Sequence, residues 1–187
     1  MNIITGPEWN RCNFPALLTS KGYTSGVEVG VQEGLFSKEI LAGWPGKLYM
    51  VDCWAKQPDN VYHDVANVSW DEHTDKMVKA RRAVNRFWTR ASLIQEFSVT
   101  ASGFFQDESQ DWIYLDANHS HDATVEDLKA WYPKIKSGGL ISGHDYMEGE
   151  SHNCTFGVIS AIEEFLPTDA TIYVATEMWS SWYYFKP

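Results

Sequence analysis

Four short apolar runs in this chain each break off at a glycine turn or an acid: Gly26–Gly30, Lys47–Asp52, Asp111–Asp116 and Leu140–Asp145. Helical patterns stand between them. Apolar positions recur over about 35–42, then at three- and four-residue spacing through Met77, Ala80, Val84, Phe87 and Trp88. They return through Thr124, Val125, Leu128 and Tyr132, where the start resembles a capping box, and through Val158, Ile162 and Phe165 before Pro167. Strands that alternate with helices need crossover connections, which restricts the chain to an α/β fold with a mostly parallel sheet. Ser92–Phe97 supplies a further strand, and 171–176 and 181–185 two more, the last of them antiparallel. Residues 1–22 read as an irregular or briefly helical lead-in. The stretch 54–70 carries Trp54, Tyr62, His63 and Trp70 without periodicity; it is long for a connection and reads as a lid over a bound acceptor.

At 187 residues, one domain spanning 1–187 is expected. Fifteen Lys+Arg against 25 Asp+Glu leave a net charge of −10, which disfavours nucleic acid and acidic membrane surfaces as partners. Hydrophobic content of 44% with 21% charged residues is that of a globular chain. Apolar runs stop at blocks such as Trp112–Leu115, against ~20 residues for a bilayer span. The opening Met-Asn-Ile-Ile-Thr-Gly-Pro-Glu has neither a basic nor an apolar export region, and Cys12, Cys53 and Cys154 are odd in number and widely spaced. A reducing, cytoplasmic setting is the expectation. Nothing in the pattern decides between a monomer and a homo-oligomer.

Ligands of open parallel sheets gather outside the carboxyl ends of the strands. Here those ends carry Glu28-Val29-Gly30, Asp52, Asp116 and His144-Asp145. Gly30 permits a sharp turn, and Gly34 leaves room at the start of the next helix. Gln32 stands where a dinucleotide fingerprint needs glycine, and Glu28 suits a cationic ligand better than a pyrophosphate. Asp52 sits where a carboxylate accepts both hydroxyls of a ribose.

The pattern Glu28-x-Gly30-x-x-x-Gly34, then Asp52, Asp116-Ala-Asn-His119-Ser-His121 and Gly138-Gly-Leu-Ile-Ser-Gly-His144-Asp145-Tyr146 resembles the class I S-adenosylmethionine-dependent methyltransferases. Within them it is similar to small-molecule O-methyltransferases whose fifth strand ends in His-Asp-Tyr, ahead of a Gly157-Val158 helix start. The likeness runs from about Gly26 to Leu166. It implies a doubly wound, seven-stranded Rossmann-like sheet with S-adenosylmethionine across the first strand ends. By position Glu28, Gly30 and Gly34 would line its methionine part, Asp52 its ribose, and Ser98 its adenine. Trp54 either closes over the same ring or belongs to the core.

Catechol-type relatives hold a divalent cation at the fourth and fifth strand ends. Asp116 and Asp145 match those acids and His144 takes the remaining place, so Mg²⁺ or Mn²⁺ is implied. His119 stands where those relatives carry a catalytic lysine, and an imidazole can act as general base there, with Asp116 beside it. His121 is either its supporting partner or a solvated helix entry. The acceptor is expected to be a small-molecule hydroxyl, of a sugar or a phenol. Two other readings remain open at this point. One is a metal-dependent hydrolase built on His119, His121, Asp122, His144, His152 and Cys154, although the His-Ser-His-Asp spacing departs from the metallo-β-lactamase pattern. The other is a cofactor-binding domain without catalysis.

Overall fold

The computed structural model describes residues 1–151 and 154–187. In chain order the elements are β1 (Asn2–Gly6), α1 (Phe14–Ser20), β2 (Ser25–Val29), α2 (Leu35–Gly43), β3 (Lys47–Asp52) and α3 (Trp70–Val84). There follow β4 (Ala91–Gln95), α4 (Ser98–Ser102), β5 (Gln110–Leu115), α5 (His121–Trp131) and β6 (Ile135–Gly143). The chain ends with β7 (Glu148–Ser151), β8 (Cys154–Gly157), α6 (Val158–Phe165), β9 (Thr171–Ala175) and β10 (Trp182–Phe185). Eight strands form one sheet in the order β1-β9-β10-β6-β5-β2-β3-β4; β7 and β8 make a separate hairpin. All neighbours in the large sheet are parallel except those of β10. The expected Rossmann-like α/β fold is therefore present, with one strand more than expected. The extra strand is β1, inside the lead-in, which pairs in parallel with β9.

The alternation of side chains along each strand builds two cores. Val27, Val29, Ile113 and Leu115 face a layer containing Ala101, Leu128, Trp131, Val158 and Ile162, drawn from α4, α5 and α6. Trp112, Tyr114, Leu48 and Met50 face the opposite layer, where Phe14, Leu18, Phe36, Ile40, Ala80 and Val84 come from α1, α2 and α3. Arg90 closes the end of α2 by donating to the carbonyls of Leu41, Trp44 and Gly46 at 2.8, 2.7 and 3.1 Å.

Helix boundaries differ from the periodicity reading at two places. α3 begins at Trp70 rather than near Met77, because Ser69 and Glu72 form a reciprocal capping box. α5 begins at His121 under Ser120, and no capping box forms at Thr124, whose hydroxyl donates to the Asn118 carbonyl. Among the described residues no helix is long and apolar enough to cross a membrane. Replacing Ser69 with Ala should remove the side-chain half of the capping box, leaving the residue 69 backbone N–H to Glu72, and cost about 1 kcal/mol, read as a lower urea midpoint with an unchanged slope.

Candidate active site

The strand order reverses between β2 and β5, the place where open α/β sheets bind ligands. A cavity of about 530 Å³ lies across it, lined by Gly30 after β2, Asp52 at the end of β3, Ser98 after β4 and Asp116 after β5. A second cleft, about 610 Å³, shares Gly30, Gln32 and Asp116 with the first and adds Arg11, Glu28, His119, His144 and Asp145. The two spaces are adjacent and share a wall.

The wall depends on two features. Gly30 has φ +89°, and a Cβ there would overlap the backbone carbonyl of Asp116. A side chain at Gly30 would therefore displace the β5 end as well as fill the cavity, so such a variant tests folding and binding together. Asp52 holds the loop from the other side. Its Oδ2 accepts from the Val31 and Gln32 amides at 2.9 and 2.8 Å, and its Oδ1 accepts from the Trp54 amide at 2.7 Å.

Several expected donor contacts take other places in the fold. Trp54 is 2% exposed, packs in the α1–α3 core, donates from Nε1 to the Gln32 carbonyl at 2.8 Å, and also borders the first cavity. Gly34 lines neither space; a Cβ there would come within 2.9 Å of the Ala80 backbone, so its bareness lets α2 start against α3. Glu28 points away from the first cavity, lies buried beneath the second, and accepts a hydrogen bond from Ser37. Burial pushes its carboxyl up to about 8, against the opposing effects of Ser37 and Arg11. Ser98 lines the first cavity, yet its hydroxyl is used within the protein. It donates to Asp127 and accepts from Trp131 Nε1 at 2.9 Å, and burial pushes Asp127 up to about 7.

The stretch before α3 walls both spaces: Gln57, Val61 and Tyr62 border the first cavity and Asp64 and Val65 the second. It is tied internally by the Asn67 side chain, which accepts from the Gln57 amide and donates to the Gln57 and Tyr62 carbonyls, each at 2.9 Å. One residue escaped the sequence reading here. His73 on α3 lines the first cavity with a buried Nε2 that has no hydrogen-bond partner among the described residues.

In the second cleft the expected triad does assemble. One ligand atom each from Asp116, His144 and Asp145 lie within 4.8 Å of one another. His144 Nδ1 is 3.0 Å from Asp145 Oδ1 and 3.8 Å from Asp116 Oδ1, and His119 Nε2 is 3.2 Å from Asp145 Oδ2. Burial opposes ionisation of Asp145, but the hydrogen bond from His144 and the charge of His119 hold its carboxyl below the ordinary range. The unforeseen member is Arg11, whose Nη2 lies 3.1 Å from Asp116 Oδ2. His121 stands apart, between Asp122 and Glu164 at 2.9 and 3.2 Å. His152 lies outside the described residues. Among the described residues, then, His119, His144 and Cys154 line this cleft while His121 and Asp122 stand apart, so the full set named for a hydrolase does not come together.

An open parallel sheet with a ligand-sized space at its switch point defines a Rossmann-like α/β protein. Residues 27–146, well over half the chain, match a family described as a methyltransferase domain, and the chain belongs to that family. Membership implies S-adenosylmethionine as the methyl donor. Solved structures similar in fold include a protein assigned as an O-methyltransferase from Klebsiella pneumoniae, at 13% identity and TM-score 0.65, covering 95% of this chain and 80% of that one. Another is the N-methyltransferase NodS from Bradyrhizobium japonicum, at 13% identity and TM-score 0.61, covering 95% and 94%. A third is cofactor-bound Rv0187 from MTB, at 14% identity and TM-score 0.64, covering 94% and 79%. No curated protein is similar enough in sequence to match.

The Glu28 carboxyl sets a pH test. Its folded pKa lies above the unfolded value, so its contribution to stability is complete below about pH 4.5 and is lost as pH rises towards about 8. Glu28→Gln should match the parent at acid pH and exceed it by on the order of 2–4 kcal/mol at pH 8, measured by denaturant unfolding at both values.

Proposed function

We propose that this methyltransferase moves the methyl group of S-adenosylmethionine to the oxygen of a small-molecule hydroxyl, of a sugar or a phenol. The observation that carries the reading is the common wall: Gly30 and Asp116 border both the switch-point cavity and the cleft that holds the His119–Asp145 pair. The two spaces adjoin at that border, which lets a donor in one face an acceptor in the other, and alignment is most of what a sulfonium donor needs. Asp52 offers the acceptor site left on Oδ1 to a ribose hydroxyl. His73 Nε2 offers a partner to a donor hydroxyl. With Nε2–H given to Asp145, the other nitrogen of His119 carries a lone pair and accepts the proton of the acceptor hydroxyl, as a general base. Asp116 positions the acceptor from the shared wall.

The spacing of Asp116, His144 and Asp145 suits Mg²⁺ or Mn²⁺, which when bound would acidify a hydroxyl. The charge does not suit it, since Arg11 already holds one oxygen of Asp116. No step here passes through a metal. A net charge of −10 fits a small-molecule acceptor rather than a nucleic acid, and the three widely spaced cysteines fit a reducing, cytoplasmic setting.

Calorimetric titration with S-adenosylmethionine tests the reading, and saturable one-to-one binding is expected. Asp52→Asn should weaken it about 30-fold or more, from the loss of a charged acceptor, and His73→Phe by about three- to tenfold. His119→Ala should leave donor affinity near the parent and cut turnover by about 10²-fold or more once an acceptor is in hand. Absence of binding at millimolar donor would overturn the proposal.

A further inference from the structure

Asp116 and Asp145 are partly buried carboxylates on neighbouring strand ends, and the pair needs positive charge nearby. The chain supplies it from its own lead-in. β1 pairs with β9 at the sheet edge, and two 3-10 turns, Pro7–Trp9 and Arg11–Asn13, then carry the backbone across to the cleft. Asn10 fixes the junction: its side chain donates to the Pro7 carbonyl at 2.8 Å and accepts from the Asn13 amide at 3.0 Å. The Arg11 amide donates to Glu177 Oε1 at 3.2 Å, which ties the turn to the β9–β10 connection. From there the guanidinium lies 4.0 Å above the Phe36 ring and 5.4 Å from that of Tyr114, and ends 3.1 Å from Asp116 Oδ2.

We infer that Arg11 is the resident cation of the acceptor cleft, and that its guanidinium and a divalent metal ion are alternative occupants of Asp116. Two independent contacts hold the guanidinium in place, the ring face of Phe36 and the carboxylate of Asp116. Arginine stays protonated in proteins, so it cannot lose its charge to admit an ion, as a lysine can. A divalent ion among Asp116, His144 and Asp145 would meet this fixed positive charge at short range in a partly dry site. It would also have to share the one carboxylate on which Arg11 is seated. An acceptor oxygen that loses its proton here finds a hydrogen-bonding cation rather than a Lewis acid, which leaves removal of the proton to the His119–Asp145 pair. The inference deepens the proposed function, but its test reads ion binding rather than turnover, so the two fail separately.

The experiment is Mn²⁺ titration of the full chain after metal stripping, with free Mn²⁺ followed by electron paramagnetic resonance. The parent should show no stoichiometric site at micromolar to low millimolar Mn²⁺. Arg11→Met, which keeps the stem over Phe36, should gain one site at least about tenfold tighter, reflecting one charged hydrogen bond released from Asp116. Adding Asp116→Asn to that variant should abolish the gain. If Arg11→Met does not fold by circular dichroism, Arg11→Gln makes the same comparison. Tight one-to-one Mn²⁺ binding by the parent overturns the inference, and so does a folded Arg11 variant that binds no better than the parent.

Discussion

The carboxylate of Asp52 holds three backbone amides, and the binding edge of the sheet is shaped around it. Two of those amides belong to Gln32 and Trp54, which are not glycines yet have φ of +47° and +40°. Such conformations cost on the order of 1–3 kcal/mol each, and hydrogen bonds to a charged acceptor offset them. The arrangement is mutual. The left-handed residues turn their amides onto Asp52, and Asp52 keeps them left-handed. Gln32 lines both spaces, so the shape of each follows from this one carboxylate.

Strand alternation decides which acids face which space. Val27 and Val29 point into the α4–α6 layer, so Glu28 between them must point into the α1–α3 layer, where α2 brings Ser37 to meet it. This explains why Glu28, one residue from the donor-side wall, ends beneath the acceptor cleft. Burial also favours its protonated form, in contrast to Asp52, whose carboxylate accepts three amides, and Asp145, which His144 and His119 hold below the ordinary range.

The parts of this architecture that were legible in the sequence are those encoded by local period. The central strands and their polar ends follow from apolar runs that stop at an acid or a glycine, and the Asp116–His144–Asp145 grouping follows from the family resemblance. β1 was not legible because it has no alternation to read: Asn2 to Thr5 are all exposed, and the strand exists through its pairing with β9. The β7–β8 hairpin is short, with two Glu in its first strand, and lacks the apolar run that marks a buried strand. The start of α3 is a different case. Ser69-Trp70-Asp71-Glu72 is a readable capping box, overlooked because the apolar period begins seven residues later. Trp54 shows the limit of residue type, since an aromatic beside a binding loop looks the same in sequence whether its ring faces ligand or core.

Arg11 is the residue that no local pattern could assign. It stands 105 positions from Asp116, in a segment with no helical or strand period of its own. Only the sheet order brings them together: β9 lies next to β1, and β10 and β6 lie between β9 and β5. The turn after β1 therefore leaves from the same edge of the sheet as Asp116, three strands beyond β6. The connection across is short enough to be spanned by two 3-10 turns and an arginine side chain. The eighth strand thus has a reason beyond covering β9. It fixes the origin of a lead-in whose end must place a permanent positive charge against the fourth strand end of the family's fold, and pairing over five residues fixes that origin more firmly than a loop alone.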